Sequence, residues 1–214
     1  MKDYIERTIA AYDASPAKYE QATKDLSPSE ELTWFTEALP LHGYVLDAGC
    51  AFGRDTDILA KQAFNVVGVD LSDALLARAR LLHPNLSFQK ADVCNLPFAN
   101  GTFDGIWANA VLLHLDDEDL SVALNEFYRV LEPAGRIFIS FKKGDGSGNH
   151  LESLTSNDER FYNYKLIETL EPMLATAGFE TRKWRYVNKR DFDPKARDLE
   201  WLKVHAVKTK GAEQ

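Results

Sequence analysis

The residues with the clearest chemical meaning lie in one run, Val45-Leu46-Asp47-Ala48-Gly49-Cys50-Ala51-Phe52-Gly53-Arg54-Asp55-Thr56. An apolar stretch ending in an acid and a glycine turn reads as a buried strand feeding a helix. Such a turn lets bare backbone approach a ligand beside a helix N-terminus. The glycines stand at Gly49 and Gly53 with Ala51 between them, so the dinucleotide fingerprint G-x-G-x-x-G is absent. Asp47, before the turn, repels a pyrophosphate and suits an amino group. Asp70 ends a second apolar run, Asn65-Val66-Val67-Gly68-Val69-Asp70, where it is placed to accept from both hydroxyls of a ribose. A nucleoside joined to an ammonium-bearing tail satisfies both acids.

Other residue types carry chemistry with a plainer reading beside it. His114 follows the fourth apolar run and is the first candidate general base, or it packs against or caps the next helix. Tyr162 and Tyr164 fall after the fifth strand, where they either reach an acceptor or pack at a helix start. Lys142, Lys143 and Gly144-Asp145-Gly146-Ser147-Gly148 read as an anion-holding lid or as a solvated loop. Trp201 with Arg197 walls a pocket or belongs to the core. Cys50 and Cys94 read as small buried hydrophobes. No His/Cys cluster has metal-ligand spacing, and the sequence lacks the Pro-Cys, Asn-Pro-Pro-Tyr and Asp-Pro-Pro-Tyr runs of nucleobase chemistry.

The elements that position these residues follow from periodicity. Residues 1 to about 40 read as helices, with Ser15-Pro16 and Ser27-Pro28 as helix starts. Strands are expected at Tyr44 to Leu46, Asn65 to Asp70, Leu86 to Ala91, Phe103 to Ala108 and Gly135 to Phe141. Helices are expected between them at Arg54 to Gln62, Asp73 to Leu82 and Asp119 to Leu131. That alternation argues for right-handed crossovers and a mostly parallel sheet. After a helix at Tyr164 to Ala177, Thr181 to Arg190 and Glu200 to Lys208 read as two strands joined through Asp193-Pro194. With no helix between them they form an antiparallel pair at one sheet edge. The expected fold is an α/β three-layer α-β-α Rossmann-like sandwich, a mostly parallel seven-stranded sheet with an antiparallel C-terminal hairpin.

Composition sets the bounds. The 214 residues carry a formal charge of −8 and are 45% hydrophobic, which suits one compact domain. That domain is 1-214, with 1-42 an N-terminal helical lid and 43-214 the binding core. No apolar stretch approaches the ~18 residues of a membrane span, the start is no signal peptide, and two cysteines make no disulfide framework. A cytoplasmic protein is the expectation. The acidic balance argues against nucleic acid as partner.

Taken together, the two acids and the turn describe S-adenosylmethionine better than NAD. The chain also resembles the class I S-adenosylmethionine-dependent methyltransferases, over nearly its whole length. Val45 to Thr56 is similar to that family's first motif, Gly68-Val69-Asp70-Leu71-Ser72 to its second, and Ala91-Asp92-Val93-Cys94-Asn95-Leu96-Pro97-Phe98 to its third. Phe103 to Leu115 resembles the fourth motif of its small-molecule branch, of methyltransferase type 11/12, and Leu131-Glu132-Pro133-Ala134-Gly135-Arg136 the turn before strand five. The resemblance implies roles. Gly49, Ala51 and Gly53 pass under the methionine portion, with Asp47 near the sulfonium side or binding through water. Arg54 pairs with the methionine carboxylate, unless it pairs with Asp55 or Asp57 on its own helix. Asp70 takes the ribose and Leu71 covers an adenine face, while Asp92 accepts from the adenine amino group beside the Val93 backbone N–H. Ala108 and Asn109 line the methionine amino group and the methyl exit, and Tyr19 closes over the carboxylate. Ala51 stands where the family usually has glycine.

The implied reaction is in-line methyl transfer to an N, O or S nucleophile of a small molecule, leaving S-adenosylhomocysteine, with His114 and Tyr164 as the catalytic candidates. The implied partner is a small-molecule methyl acceptor, with no membrane involved, and the assembly a monomer or homodimer. Methylation of RNA or protein, and a non-catalytic S-adenosylmethionine binder, are the competing readings.

Overall fold

The computed structural model describes residues 1–26, 28–151, 158–188 and 198–209. Among them three helices come first, α1 (Asp3–Ala14), α2 (Pro16–Thr23) and α3 (Ser29–Thr36). Pro16 takes the first helical position of α2, where its missing N–H costs nothing. Pro28 is instead the residue before α3, and Ser27 lies outside the described residues.

The core then alternates: β1 (Tyr44–Ala48), α4 (Arg54–Lys61), β2 (Asn65–Asp70), α5 (Asp73–Leu82), β3 (Ser87–Lys90), β4 (Phe103–Ala108), α6 (Asp117–Val130) and β5 (Leu131–Lys142). The chain closes with β6 (Ser147–Leu151), β7 (Glu159–Asn163), α7 (Ile167–Thr176), β8 (Phe179–Asn188) and β9 (Glu200–Lys208). The main sheet has seven strands in the order β3-β2-β1-β4-β5-β9-β8. β1 to β5 run parallel, while β9 is antiparallel to both β5 and β8. This is the expected Rossmann-like sandwich with its reversed pair at one edge.

Burial on both faces explains why the strands read as apolar runs rather than alternating ones. Val45, Trp107 and Phe138 point to one side, where Leu32 and Phe35 of α3 and Leu59 of α4 cover them. Leu46, Ile106, Ile137 and Ile139 point to the other, against Leu120, Leu124 and Phe127 of α6 and Leu170 and Leu174 of α7. Trp107 stacks on Phe138 with ring centroids 4.1 Å apart.

Three departures from the expected elements have physical causes. β5 begins at Leu131, because Leu131 pairs with Phe103 across a register shift before Gly105 pairs with Arg136. The segment expected as a loop at Gly144 to Gly148 opens instead into β6, which pairs antiparallel with β7 as a separate two-stranded sheet. α7 starts at Ile167 rather than Tyr164, since Lys143 first bridges to Lys165. Arg190, Asp193-Pro194 and Arg197 lie outside the described residues.

Candidate active site

The carboxyl ends of β1, β2 and β4 open into one cavity with about 780 Å³ of empty space, its solvent mouth included. Helices α1 and α2 cover it, contributing Ile9, Tyr12 and Tyr19 to its lining. This is the crevice beyond the carboxyl ends of the strands where open α/β sheets bind ligands.

The turn after β1 is built for close backbone approach. Gly49 lies at φ +73°, and a Cβ there would stand 2.4 Å from Val111 Cβ. Gly53, at φ +83°, precedes α4 with no room for a side chain against Phe88. Ala51 sits at φ +49°, in the left-handed region that glycine enters without strain. It is held there because Asp70 Oδ2 accepts from the Ala51 N–H at 2.9 Å. Asp70 Oδ1 accepts from the Ser72 N–H at the same distance. Burial raises the Asp70 carboxyl above the usual range, against these backbone donors. Ser72 caps α5 as its position suggests, accepting from the Leu75 N–H at 3.1 Å.

Of the expected site residues, Tyr19, Gly49, Ala51, Asp70, Leu71, Asp92, Val93, Asn109 and His114 line the cavity. Asp92 is fixed by accepting from the Cys94 N–H at 2.9 Å. Asp47, Gly53, Arg54, Ala108 and Tyr164 lie behind or beside the lining. Asp47 is buried and accepts from Thr56 Oγ1 at 2.6 Å, while Ala108 is fully buried in β4. Arg54 donates to both oxygens of Asp55, at 2.7 and 3.1 Å, and to the Thr23 carbonyl at 2.8 Å. The alternative pairing on its own helix is therefore the one the structure contains. Tyr164 packs over Gly144 and beside His150, its ring centroid 5.5 Å from the imidazole.

A polar network behind the cavity was not legible as such. Asp55 Oδ2 also accepts from Trp107 Nε1 at 2.9 Å and Asn109 Nδ2 at 3.0 Å. Asn109 Oδ1 accepts from Ser140 Oγ at 2.9 Å. Burial works against ionised Asp55, but the Arg54 pair and these donors outweigh it and hold its carboxyl below the usual range. Burial and the neighbouring Asp55 charge push Asp47 the other way, upward. The run Arg54-Asp55 following a glycine turn was the available signal, though the partners Trp107, Asn109 and Ser140 are remote in sequence.

His114 lies in a short 3-10 turn, Leu112–His114, after β4. Its Nδ1 is 2.7 Å from the Phe161 carbonyl oxygen and its Nε2 3.0 Å from Tyr12 Oη. Arg160, itself buried, donates from Nη1 to Tyr12 Oη at 2.5 Å. Tyr12, Arg160 and Phe161 thus join His114 in one hydrogen-bonded chain. Elsewhere Asp116, Glu118 and Asp119 come together, but around the Lys2 ammonium, at 2.8, 2.9 and 3.1 Å.

The cavity fits an adenosine-bearing ligand with a charged tail. It offers two carboxylates, Asp70 and Asp92, flanked by apolar Leu71 and Val93, and a turn whose Gly49 and Ala51 bring backbone to its floor. Comparison with known proteins agrees. A family model described as a methyltransferase domain matches residues 46–139. Malonyl-[acyl-carrier protein] O-methyltransferase of Erwinia billingiae is 37% identical over 101 residues, 47% of this chain and 39% of that protein. The O-methyltransferase resE of Aspergillus sclerotiorum is 30% identical over 145 residues, 64% of this chain and 54% of that protein. The chain thus spans about half or less of these two relatives' own length. A solved structure of 1,6-didemethyltoxoflavin-N1-methyltransferase from Burkholderia thailandensis, containing S-adenosylhomocysteine, superposes with a TM-score of 0.76. It is 24% identical and covers 97% of this chain and 90% of that one, a likeness of fold. The chain thus carries a methyltransferase domain over residues 46–139, and its motifs in order on that fold support a place among the class I S-adenosylmethionine-dependent methyltransferases.

Proposed function

We propose that this protein transfers the methyl group of S-adenosylmethionine to an N, O or S nucleophile of a small molecule. The observation that carries this reading is one cavity holding the Gly49–Ala51 backbone, Asp70, Asp92 and the His114–Tyr12 pair together. Asp70 would take the ribose hydroxyls, Asp92 the adenine amino group, and Leu71 an adenine face. Asn109 would meet the amino-acid end. Gly53 and Arg54 shape the turn from behind, and Arg54, already paired with Asp55, would reach the methionine carboxylate with its remaining N–H groups. When bound, S-adenosylmethionine supplies an electrophilic methyl on a sulfonium, and the chain's task is alignment and exclusion of water.

Small-molecule acceptors are favoured because α1 and α2 close over the cavity. That lid is tied down at several points. Asp13 accepts from Ser72 Oγ at 2.5 Å and from the Ala74 N–H at 3.1 Å, at the start of α5. Glu20 pairs with Arg78 at 2.6 Å, and Thr8 Oγ1 accepts from the Phe161 N–H at 3.1 Å. An acceptor that arrives protonated would lose its proton to His114, with Tyr164 standing outside the cavity lining and serving the β6–β7 hairpin. Two of the similar proteins are named O-methyltransferases, one of them for malonyl-[acyl-carrier protein]. A membrane role has no support among the described residues, where no helix is long and apolar enough to cross one.

The test is transfer of labelled methyl from S-adenosylmethionine to a panel of phenols, carboxylic acids, amines and thiols. Label appearing on one class, and absent with Asp70→Ala, is the expected result. Label on none, with label instead on RNA or protein, would replace the reading with macromolecular methylation.

A further inference from the structure

We propose that Arg160 is a positioning residue that aims the Tyr12 hydroxyl hydrogen at His114, fixing Nε2 of that histidine as a proton acceptor. The argument needs only what each group can donate or accept. A guanidinium donates and never accepts, so the 2.5 Å contact makes Tyr12 Oη the acceptor from Arg160. The phenol has one hydrogen, and its other neighbour at hydrogen-bonding distance is His114 Nε2, 3.0 Å away. At the far end a backbone carbonyl only accepts, so the 2.7 Å contact places the imidazole proton on Nδ1, facing Phe161. Both ends of the chain therefore have one sense each, and the direction runs Arg160 to Tyr12 to His114 to the Phe161 carbonyl. The tautomer is the one a base requires.

Adjacent residues of β7 set both ends, while the middle comes from α1 and from the turn after β4. Arg160 is only 2% exposed, with its guanidinium carbon 4.7 Å from the Tyr12 ring centroid and 5.6 Å from that of Tyr162. Packing thus prevents it from turning away. Tyr12 and His114 both line the cavity. A proton leaving an acceptor atom reaches the Tyr12 oxygen as the phenol's own hydrogen passes to Nε2, which leaves Tyr12 neutral and His114 an imidazolium. The chemistry of this step rests on the methyl-transfer reading, but the tautomer does not.

The test is the imidazole ¹⁵N spectrum of the full-length protein labelled at its five histidines, with His114→Gln identifying the signal. At a pH where the ring is neutral, the wild type is expected to show a protonated Nδ1 and a bare, hydrogen-bonded Nε2. Arg160→Met should free the Tyr12 hydrogen to turn away from Nε2, moving that resonance toward the position of an unbonded nitrogen while Nδ1 keeps its proton, and Arg160→Lys, which keeps a donor-only group, should restore the pattern. If Arg160→Met does not fold, Tyr12→Phe carries the test: Nε2 should move to the position of an unbonded nitrogen while Nδ1 keeps its proton. With an acceptor that turns over, Arg160→Met should lower kcat on the order of tenfold and leave KM within about twofold. A wild-type proton on Nε2, or an Nε2 resonance unchanged in Tyr12→Phe or in folded Arg160→Met, would overturn the proposal. Titration with S-adenosylmethionine is read separately. The expected tautomer without cofactor binding would sink the methyl-transfer reading and leave this proton geometry standing.

Discussion

The two halves of the cavity are built in opposite ways. On the cofactor side, the turn from Gly49 to Gly53 and the carboxylate of Asp70 are joined through backbone N–H groups at the ends of adjacent parallel strands. On the acceptor side, Tyr12, His114 and Arg160 meet through side chains drawn from α1, the turn after β4 and β7. The first construction fixes a ligand common to many proteins with local sequence. The second depends on long-range packing, so it can change from one chain to another without disturbing the sheet. On the proposed function, specificity for the acceptor would reside in this second construction, in line with function being set by sites carried on a shared fold.

The comparison can be broken most directly on the cofactor side. Asp70→Ala removes the proposed ribose acceptor and releases the Ala51 N–H. Affinity for S-adenosylmethionine should fall at least 100-fold, about 2.7 kcal/mol, as expected for lost hydrogen bonds to a charged group. Calorimetry checks this, and an affinity within threefold of wild type would contradict the cofactor half.

Next in size is an effect on the sheet that supports both halves. His205 of β9 is buried near Phe35, and burial first, then the charges of Arg136 and Lys183, lower its pKa from 6.5 to about 4. Above pH 6.5 the imidazole is neutral whether the chain is folded or not. As pH falls toward 4, the unfolded chain takes up a proton that the folded chain refuses, so stability declines across that window. The loss is on the order of 2 to 3 kcal/mol. Urea unfolding of wild type and His205→Leu at several pH values measures it, the variant showing a flatter profile. Equal slopes in the two proteins would remove His205 as the cause.

The junction between the halves comes third. Asp13→Ala deprives Ser72 Oγ and the Ala74 N–H of their acceptor on the lid, and should cost about 1 to 2 kcal/mol, the worth of a helix N-cap. Chemical denaturation reads the stability, and protease sensitivity within α1 reads the loosened lid. Smallest is Ala51→Gly. Relief of the left-handed conformation is offset by glycine's greater freedom when unfolded, so stability should change by less than about 1 kcal/mol. Cofactor affinity should stay within about threefold.

This division also explains what was legible from the amino-acid sequence. The central strands were, because burial on both faces demands continuous apolar runs such as Val45-Leu46 and Ile106-Trp107. Asp70, Asp92 and the glycine turn were, because each is placed by the end of its own strand. The β6–β7 hairpin was not. Ser147-Gly148-Asn149-His150-Leu151 has neither alternation nor a buried face to announce a strand, and among the described residues it pairs only with β7. Arg54 read as a ligand group or as a partner of its own helix, and only coordinates show its bidentate pair with Asp55. Tyr12 and Arg160 were out of reach, since their meaning lies in a contact between residues 148 apart in the chain.

The most direct measurement is a calorimetric titration of the purified protein with S-adenosylmethionine and S-adenosylhomocysteine, with NAD as control. The cavity described here predicts micromolar binding of both sulfur compounds and none of NAD. Failure of both to bind, or binding of NAD in their place, would contradict the assignment of Asp70, Asp92 and the Gly49 turn as an S-adenosylmethionine site.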